Sequence, residues 1–313
     1  MFWLDGDAAA WIYRKATEFP GAVLFSPLRS RVFDWILTVD FLIVATLVLG
    51  LERLVPARRA LTWLSPSRLQ DLVWFFYQAV LHAAIVATWV TLLAWIYKRY
   101  FPPVATAEFS ALSLGVRLVI ATLVVDLFVW LQHRANHTVP WLWQVHQVHH
   151  SQRELSLFTD FRYHVLEYVV RETFLAIPFI VLGIKVPFIV YYSVFRRWFT
   201  PFTHANIRTD LGPLRYLLVS PQSHRIHHSV EPQHQNKNFG ALLSVWDFAF
   251  GTQYKKWDEY PDTGIEDREF PHEVRTDVAS LLLTPIRQMA YPLRRIAERV
   301  ATWRVASPTR PMR

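Results

Sequence analysis

Residues 111–150 read ALSLGVRLVIATLVVDLFVWLQHRANHTVPWLWQVHQVHH, and this stretch decides the fold. From Ala111 to Leu131 it is apolar and long enough to cross a hydrocarbon core at about 1.5 Å per helical residue. Its last two turns carry Asp126, Trp130 and His133. Beyond Leu131 the composition turns polar, and imidazoles follow at once: His133, His137, His146, His149 and His150. A span that delivers histidines to its own polar end predicts a helical membrane protein with a histidine-rich cap.

The flanks extend this reading. Phe33–Leu54 and Leu72–Tyr97 are two further spans, with a basic loop of Arg53, Arg58, Arg59 and Arg68 between them. Asp40 lies inside the first, which is costly in lipid and predicts a position facing protein. Trp3, Trp11, Ile12, Tyr13 and Phe19, mixed with Arg14 and Lys15, suit an interfacial segment, and Asp5 and Asp7 argue against a signal peptide. The apolar stretch 173–194 is interrupted by Pro178, Gly183, Lys185 and Pro187. The tail from Leu281 to Val305 is amphipathic and Arg-rich, as for a helix lying on a membrane face. The expected fold is an all-α integral membrane protein of about three spanning helices plus a re-entrant helical hairpin, with a histidine-rich cytoplasmic cap. The expected units are 1–110 (interfacial segment and two spans), 111–256 (catalytic) and 257–313 (polar segment and basic helix).

Composition narrows the chemistry. The chain has 313 residues, 52% hydrophobic and 15% aromatic, with a net charge of +8 and no cysteine. That excludes a disordered chain, a disulfide framework, thiolate zinc, Fe–S ligation and a cysteine nucleophile. Any transition metal must be held by nitrogen and oxygen. The positive charge fits an anionic membrane surface; no basic stripe beside exposed stacking aromatics points to nucleic acid. The excess of Arg over Lys suggests a GC-rich bacterial coding sequence, hence an inner membrane.

Eight of the 13 histidines fall in three motifs: His133-x-x-x-His137, His146-x-x-His149-His150 and His224-x-x-His227-His228. Positions i, i+3 and i+4 share one face of a helix, so each motif can aim its imidazoles at one point. Neutral imidazole ligates Fe, Zn and Cu, and eight nitrogens exceed the four that a structural zinc takes, which suits a two-metal centre. Position 134 is Arg, so the HExxH of a zincin is absent. His82, His234 and His272 match no motif and are expected to serve packing or the surface.

The order of spans and motifs resembles the fatty acid hydroxylase / sterol desaturase superfamily over about residues 120–252. Asp126 before His133-Arg134 is similar to that family's aspartate before an HR..H block. Thr159, Arg162, His164 and Glu167 resemble its threonine, arginine and HP.E segment, with Val165 where the family has Pro. His204-Ala-Asn206 is similar to its H.N element, and Asn238-Phe-Gly240, Trp246-Asp247 and Phe250-Gly251-Thr252 to its NYG…WD..FGT ending. The resemblance implies a membrane-bound enzyme with two Fe ions that uses O₂ and two external electrons to hydroxylate or desaturate a lipid. A sterol, fatty acyl chain, ether lipid, carotenoid or amino lipid all fit. It implies His133, His137, His146, His149, His150, His164, His204, His224, His227 and His228 as ligands. Asp126, Glu167 and Asp247 would orient ligand imidazoles, and Asn206 would hold a water or hydroxide at the metal. Arg162 would clamp a carboxylate. An external electron donor, ferredoxin or cytochrome b5-like, with its reductase, is implied because the chain has no haem, flavin or Fe–S motif. The alternative is a non-enzymatic metal-binding or zinc-stabilised membrane module, and zinc in aerobically purified protein is compatible with both.

One constraint sets the topology. All ligands must reach one centre, yet His133–His150 precede the stretch 173–194 and His204–His228 follow it. A single crossing by its about 22 residues would part them, whereas a hairpin broken near Gly183-Ile184-Lys185 returns to the same side. With the 53–68 loop in the cytoplasm, the third span delivers His133 to that side. Trp130, Trp141, Trp143 and Phe161 are expected to line an apolar lipid cleft.

Overall fold

The computed structural model describes residues 39–59, 64–100, 109, 111–182, 186–273 and 276–306. The expected interfacial segment, the first six residues of the first expected span and the Gly183–Lys185 break lie outside these, as do the side chains of Asp40 and His82. Among the described residues the fold is all helical, and extended pairing is confined to the single bridges Pro56–Ile207, Leu218–Leu243 and Ser229–Thr263. The longer helices are α1 (Val39–Leu54), α2 (Pro66–Tyr100), α3 (Leu114–Thr138), α4 (Pro140–His150), α5 (Val165–Leu182) and α6 (Val186–His204). Short α7 (Pro221–His227) and α8 (Val245–Ala249) precede α9 (Val278–Ala306). Among the described residues, α3 is the one helix long and apolar enough to cross a membrane.

A corner between α3 and α4 sets up the site. Val139 precedes Pro140, which disfavours helical backbone, and it is extended at φ −94°, ψ 116°. α3 therefore stops at Thr138. Pro140 then opens α4, where its missing N–H leaves no donor unsatisfied. The two motifs of the opening stretch thus sit on separate helices that face each other across one turn of chain.

The core lies beside the histidines. Ala121, Val125 and Val129 of α3 pack with Leu175 of α5, Tyr192 of α6 and Leu242-Leu243. Trp74 of α2 and Val148 of α4 pack with Phe270 and with Tyr291 of α9. α9 is also tied to α2 by polar contacts: Trp74 Nε1 donates to Gln288 Oε1 at 2.9 Å and Gln70 Nε2 to Leu281 O at 2.9 Å. Arg162 is fully buried between carboxylates, with Nε donating to Asp71 Oδ1 at 2.8 Å and Nη1 bonded to Glu273. It is the carboxylate clamp expected of it, and it locks the 157–161 turn to α2 and the C-terminal segment. α5 begins next to His164, and α6 ends at His204, whose Nε2 is 3.1 Å from His149 Nε2. The excursion from 165 to 204 therefore leaves from and returns to the same place.

Candidate metal centre

Nine imidazoles gather into two groups. His133, His137, His146, His150 and His227 form one; His149, His204, His224 and His228 form the other. Within each group, one nitrogen per residue lies within 4.8 Å of all the rest. Metal–imidazole bonds of about 2.1 Å allow opposed nitrogens up to about 4.2 Å apart, so either group closes on an ion with small adjustment. Helical geometry explains the division. On α4, His146 and His150 are four apart and go together, while His149 turns to the other group. α7 splits likewise, His227 to the first and His224 to the second, with His228 just beyond its end. The groups touch where the His150 and His228 rings stack at 4.2 Å.

Hydrogen bonds fix the protonation of five rings. His133 Nδ1 donates to Phe239 O at 2.8 Å, His149 Nδ1 to Arg162 O at 3.2 Å, His204 Nδ1 to Thr200 O at 2.8 Å and His227 Nδ1 to Lys237 O at 2.8 Å. His146 Nδ1 lies 2.7 Å from Glu167 Oε1. Carbonyls and carboxylates only accept, so each Nδ1 carries the proton and each Nε2 a bare lone pair. Those lone pairs face one another: His133 and His146 Nε2 are 3.1 Å apart, His133 and His227 2.9 Å, and His149 and His204 3.1 Å. Such an arrangement repels itself unless a cation lies between. Protons are poor candidates for that cation. Burial, reinforced by neighbouring imidazoles, holds His149, His150, His224 and His228 well below the usual histidine range, and burial takes His227 down to about 3. The donor set therefore fits two divalent ions, all-nitrogen in its inner ring, with oriented Nδ1 protons behind.

Four expected roles change. His164 lies outside both groups; its Nε2 bonds Met289 O at 2.9 Å and its Nδ1 accepts from Leu166 N at 3.1 Å, so neither nitrogen is free for a metal. Asn206 is spent on α7 and the segment after α1: Oδ1 accepts from Arg225 Nη2 at 2.8 Å, and Nδ2 donates to Arg58 O at 3.0 Å. Asp126 touches no histidine; it accepts from Tyr192 OH at 2.6 Å and Leu243 N at 3.2 Å, joining α3 to α6 and the 239–243 loop. Asp247 acts at one remove. It accepts from Phe239 N at 2.8 Å and Gly240 N at 2.7 Å, and so fixes the carbonyl that receives His133. Only Glu167 among the expected carboxylates bonds a ring, and Asn136 Nδ2 steadies it at 3.2 Å. His234 is buried between Ser229 and Glu259, and His272 bonds Asp267 O.

Sequence reasoning missed the carbonyl acceptors, which no residue type announces, and Asp160, whose Oδ1 lies 3.4 Å from His204 Nδ1. Adjoining the histidines is a cavity of about 40 Å³, and polar or charged residues are prominent in its lining: Glu167, Arg171, Arg196, Thr200 and Tyr163 among them. The expected apolar cleft differs. Trp130 is buried against Phe250 and bonded to Asp247, Trp141 faces outward, Trp143 packs on His137 and His150, and Phe161 packs on Phe75.

Residues 118–252 match the fatty acid hydroxylase family model. The chain is similar to the ornithine lipid hydroxylase OlsE of Rhizobium tropici, 26% identical over 225 residues that cover 68% of this chain and 66% of that protein. It is similar to the alkylglycerol monooxygenase of Danio rerio, 35% identical over 42% of this chain and 29% of that protein. Human cholesterol 25-hydroxylase is 26% identical over 77% of this chain and 88% of that protein. The matched segments thus span less than two thirds of the first two relatives. No solved structure matches the chain.

Proposed function

We propose that this chain, whose residues 118–252 match the fatty acid hydroxylase family model, is a membrane-bound, O₂-dependent lipid hydroxylase with two irons. The observation that carries the reading is the pairing of bare imidazole lone pairs within two buried groups. Bound there, two irons would activate O₂ with two external electrons; a C–H bond, O₂, two electrons and two protons give an alcohol and water. The ligands are His133, His137, His146, His150 and His227 for one ion, and His149, His204, His224 and His228 for the other. Glu167 and the carbonyls of Phe239, Lys237, Arg162 and Thr200 keep the Nδ1 protons away from the metal side. Tyr163 stacks flat on His149 at 4.5 Å and Trp143 packs against His137 and His150, which limits water at the rings.

Hydroxylation is preferred to desaturation because the relatives named above are hydroxylases and a monooxygenase. Membrane residence is supported by α3 and by a row of exposed apolar side chains on it and on α1: Leu114, Val116, Val119 and Leu123, and Leu42, Ile43, Leu47 and Leu51. In this reading α1 and α2 also cross, and α5 and α6 form the re-entrant hairpin. The histidines face the cytoplasm of a bacterial inner membrane, where a ferredoxin or cytochrome b5-like donor and its reductase deliver electrons. The catalytic unit is 111–256, completed by α2 and α9. Comparative lipid mass spectrometry of a deletion strain, rescued by the wild type and by His149→Ala, tests this. A lipid gaining one oxygen with the wild type and not with the variant is expected; identical lipids in both would overturn it.

A further inference from the structure

The walls of the cavity beside the histidines hold a charge that the metal centre does not call for. Arg196, Thr200 and His204 recur every fourth residue, so they share one face of α6. All three line the cavity. Across it, Glu167 and Arg171 stand one turn apart on α5. A polar stripe therefore runs from the imidazoles into the hairpin and ends on two guanidiniums.

The two cations differ. Arg171 donates to Glu172 Oε1 at 3.0 Å and covers the Tyr168 ring at 4.7 Å. Arg196 has no carboxylate within 4.0 Å among the described residues, and its Nε is buried without a hydrogen-bond acceptor. Thr200, the nearest hydroxyl on its face, is engaged with Asp160 Oδ2 at 2.8 Å. Asp160 and Glu167 share the cavity wall and the buried Asp126 feels the charge of Arg196, yet none of them bonds it, and a buried donor left without an acceptor is costly. Nothing in the ligand arrangement repays that cost. A planar fork of donors suits an oxyanion.

Resting on the lipid-hydroxylase reading, we infer that Arg196 receives an oxyanion carried by the lipid substrate, a carboxylate or phosphate ester. Arg196 is a positioning and specificity residue that selects anionic lipids and sets which carbon reaches the metal. Eight helical residues separate it from His204, about 12 Å along the axis. The oxidised carbon therefore lies toward the head-group end of the lipid, not at the distal methyl end.

The test is equilibrium binding to the full chain in detergent, without O₂ or reductant. The probes are short-chain phosphatidic acid and the matched diacylglycerol, at high salt so that surface charge is screened. Wild type is expected to prefer the anionic probe at least tenfold. Arg196→Gln should lose that preference while binding diacylglycerol as before and keeping its iron, and Arg196→Lys should keep most of it. No preference in the wild type, or an unchanged preference in Arg196→Gln, overturns the inference. So does binding of inorganic phosphate as tight as that of phosphatidic acid, which would mark a free-anion site. Anion-selective binding with no oxygenated lipid in any assay would instead sink the hydroxylase reading, and with it the choice of oxidised carbon, and leave Arg196 standing only as a contact for anionic lipid.

Discussion

Glu167→Gln exchanges one oxygen for an amide nitrogen and removes one charge behind His146. Glu167 Oε1 lies 2.7 Å from His146 Nδ1 and 3.2 Å from Asn136 Nδ2, and its Oε2 is buried with no partner. If the amide keeps its oxygen toward His146, a charge-assisted bond becomes a neutral one. The difference is about 1–1.5 kcal/mol, or about tenfold in affinity for the ion that His146 holds. If the amide presents its NH₂ instead, His146 must carry its proton on Nε2 and ceases to be a ligand, and the loss approaches about a hundredfold. Either way the damage is confined. In the group of His149, His204, His224 and His228, the Nδ1 protons of His149 and His204 are held by the carbonyls of Arg162 and Thr200, not by Glu167. The assay is anaerobic Fe²⁺ titration of the full chain against a competing chelator, which resolves two binding steps. One step should weaken about 10–100-fold and the other should hold. Both steps shifting together, or neither, would refute the assignment of separate groups.

Three further outcomes follow from the same geometry. Imidazoles held below their unfolded value of about 6.5 bind fewer protons folded than unfolded, so their stability is present above that pH and lost as pH falls toward the folded values. The melting temperature of metal-free protein should be level from about pH 7 to 8 and drop steeply toward pH 5; a level profile down to pH 5 would contradict the burial argument. Gly240→Ala would place a Cβ 2.7 Å from Leu243 O and 2.9 Å from Asp247 Oδ2. It should destabilise by about 1–3 kcal/mol and weaken the ion held with His133, read by thermal unfolding and the same titration. His164→Gln should leave the bound metal unchanged while loosening α9, because the ring ties Met289 O and no ion; loss of an ion on this substitution would restore it as a ligand.

How far the sequence carried depends on the residue. Convergence of each motif was legible from the i, i+3, i+4 spacing, and so was the need for the chain on both sides of the 173–194 stretch to reach one cluster, as Glu167 and His204 do. Which imidazole joins which group was not legible. It depends on His149 pointing a fraction of a turn away from His146 and His150, a three-dimensional fact that spacing alone leaves open. The supporting polar side chains were harder still. Asp126, Asn206 and Asp247 sit near the histidines in sequence, yet the oxygens of each serve backbone or side-chain donors of the surrounding segments, because buried N–H groups claim the nearest acceptor. The acceptors that do orient the rings are mostly main-chain carbonyls, and a carbonyl has no signature in a sequence. Arg162 was read correctly because a buried guanidinium needs carboxylates wherever it lies, and Asp71 and Glu273 supply them from distant segments.

The most direct test is the number of Fe²⁺ ions retained by anaerobically loaded, desalted full-length protein. Two per chain are predicted, falling to about one when His149→Ala and His204→Ala together dismantle the four-membered group. A wild type that retains one ion or none would contradict the account.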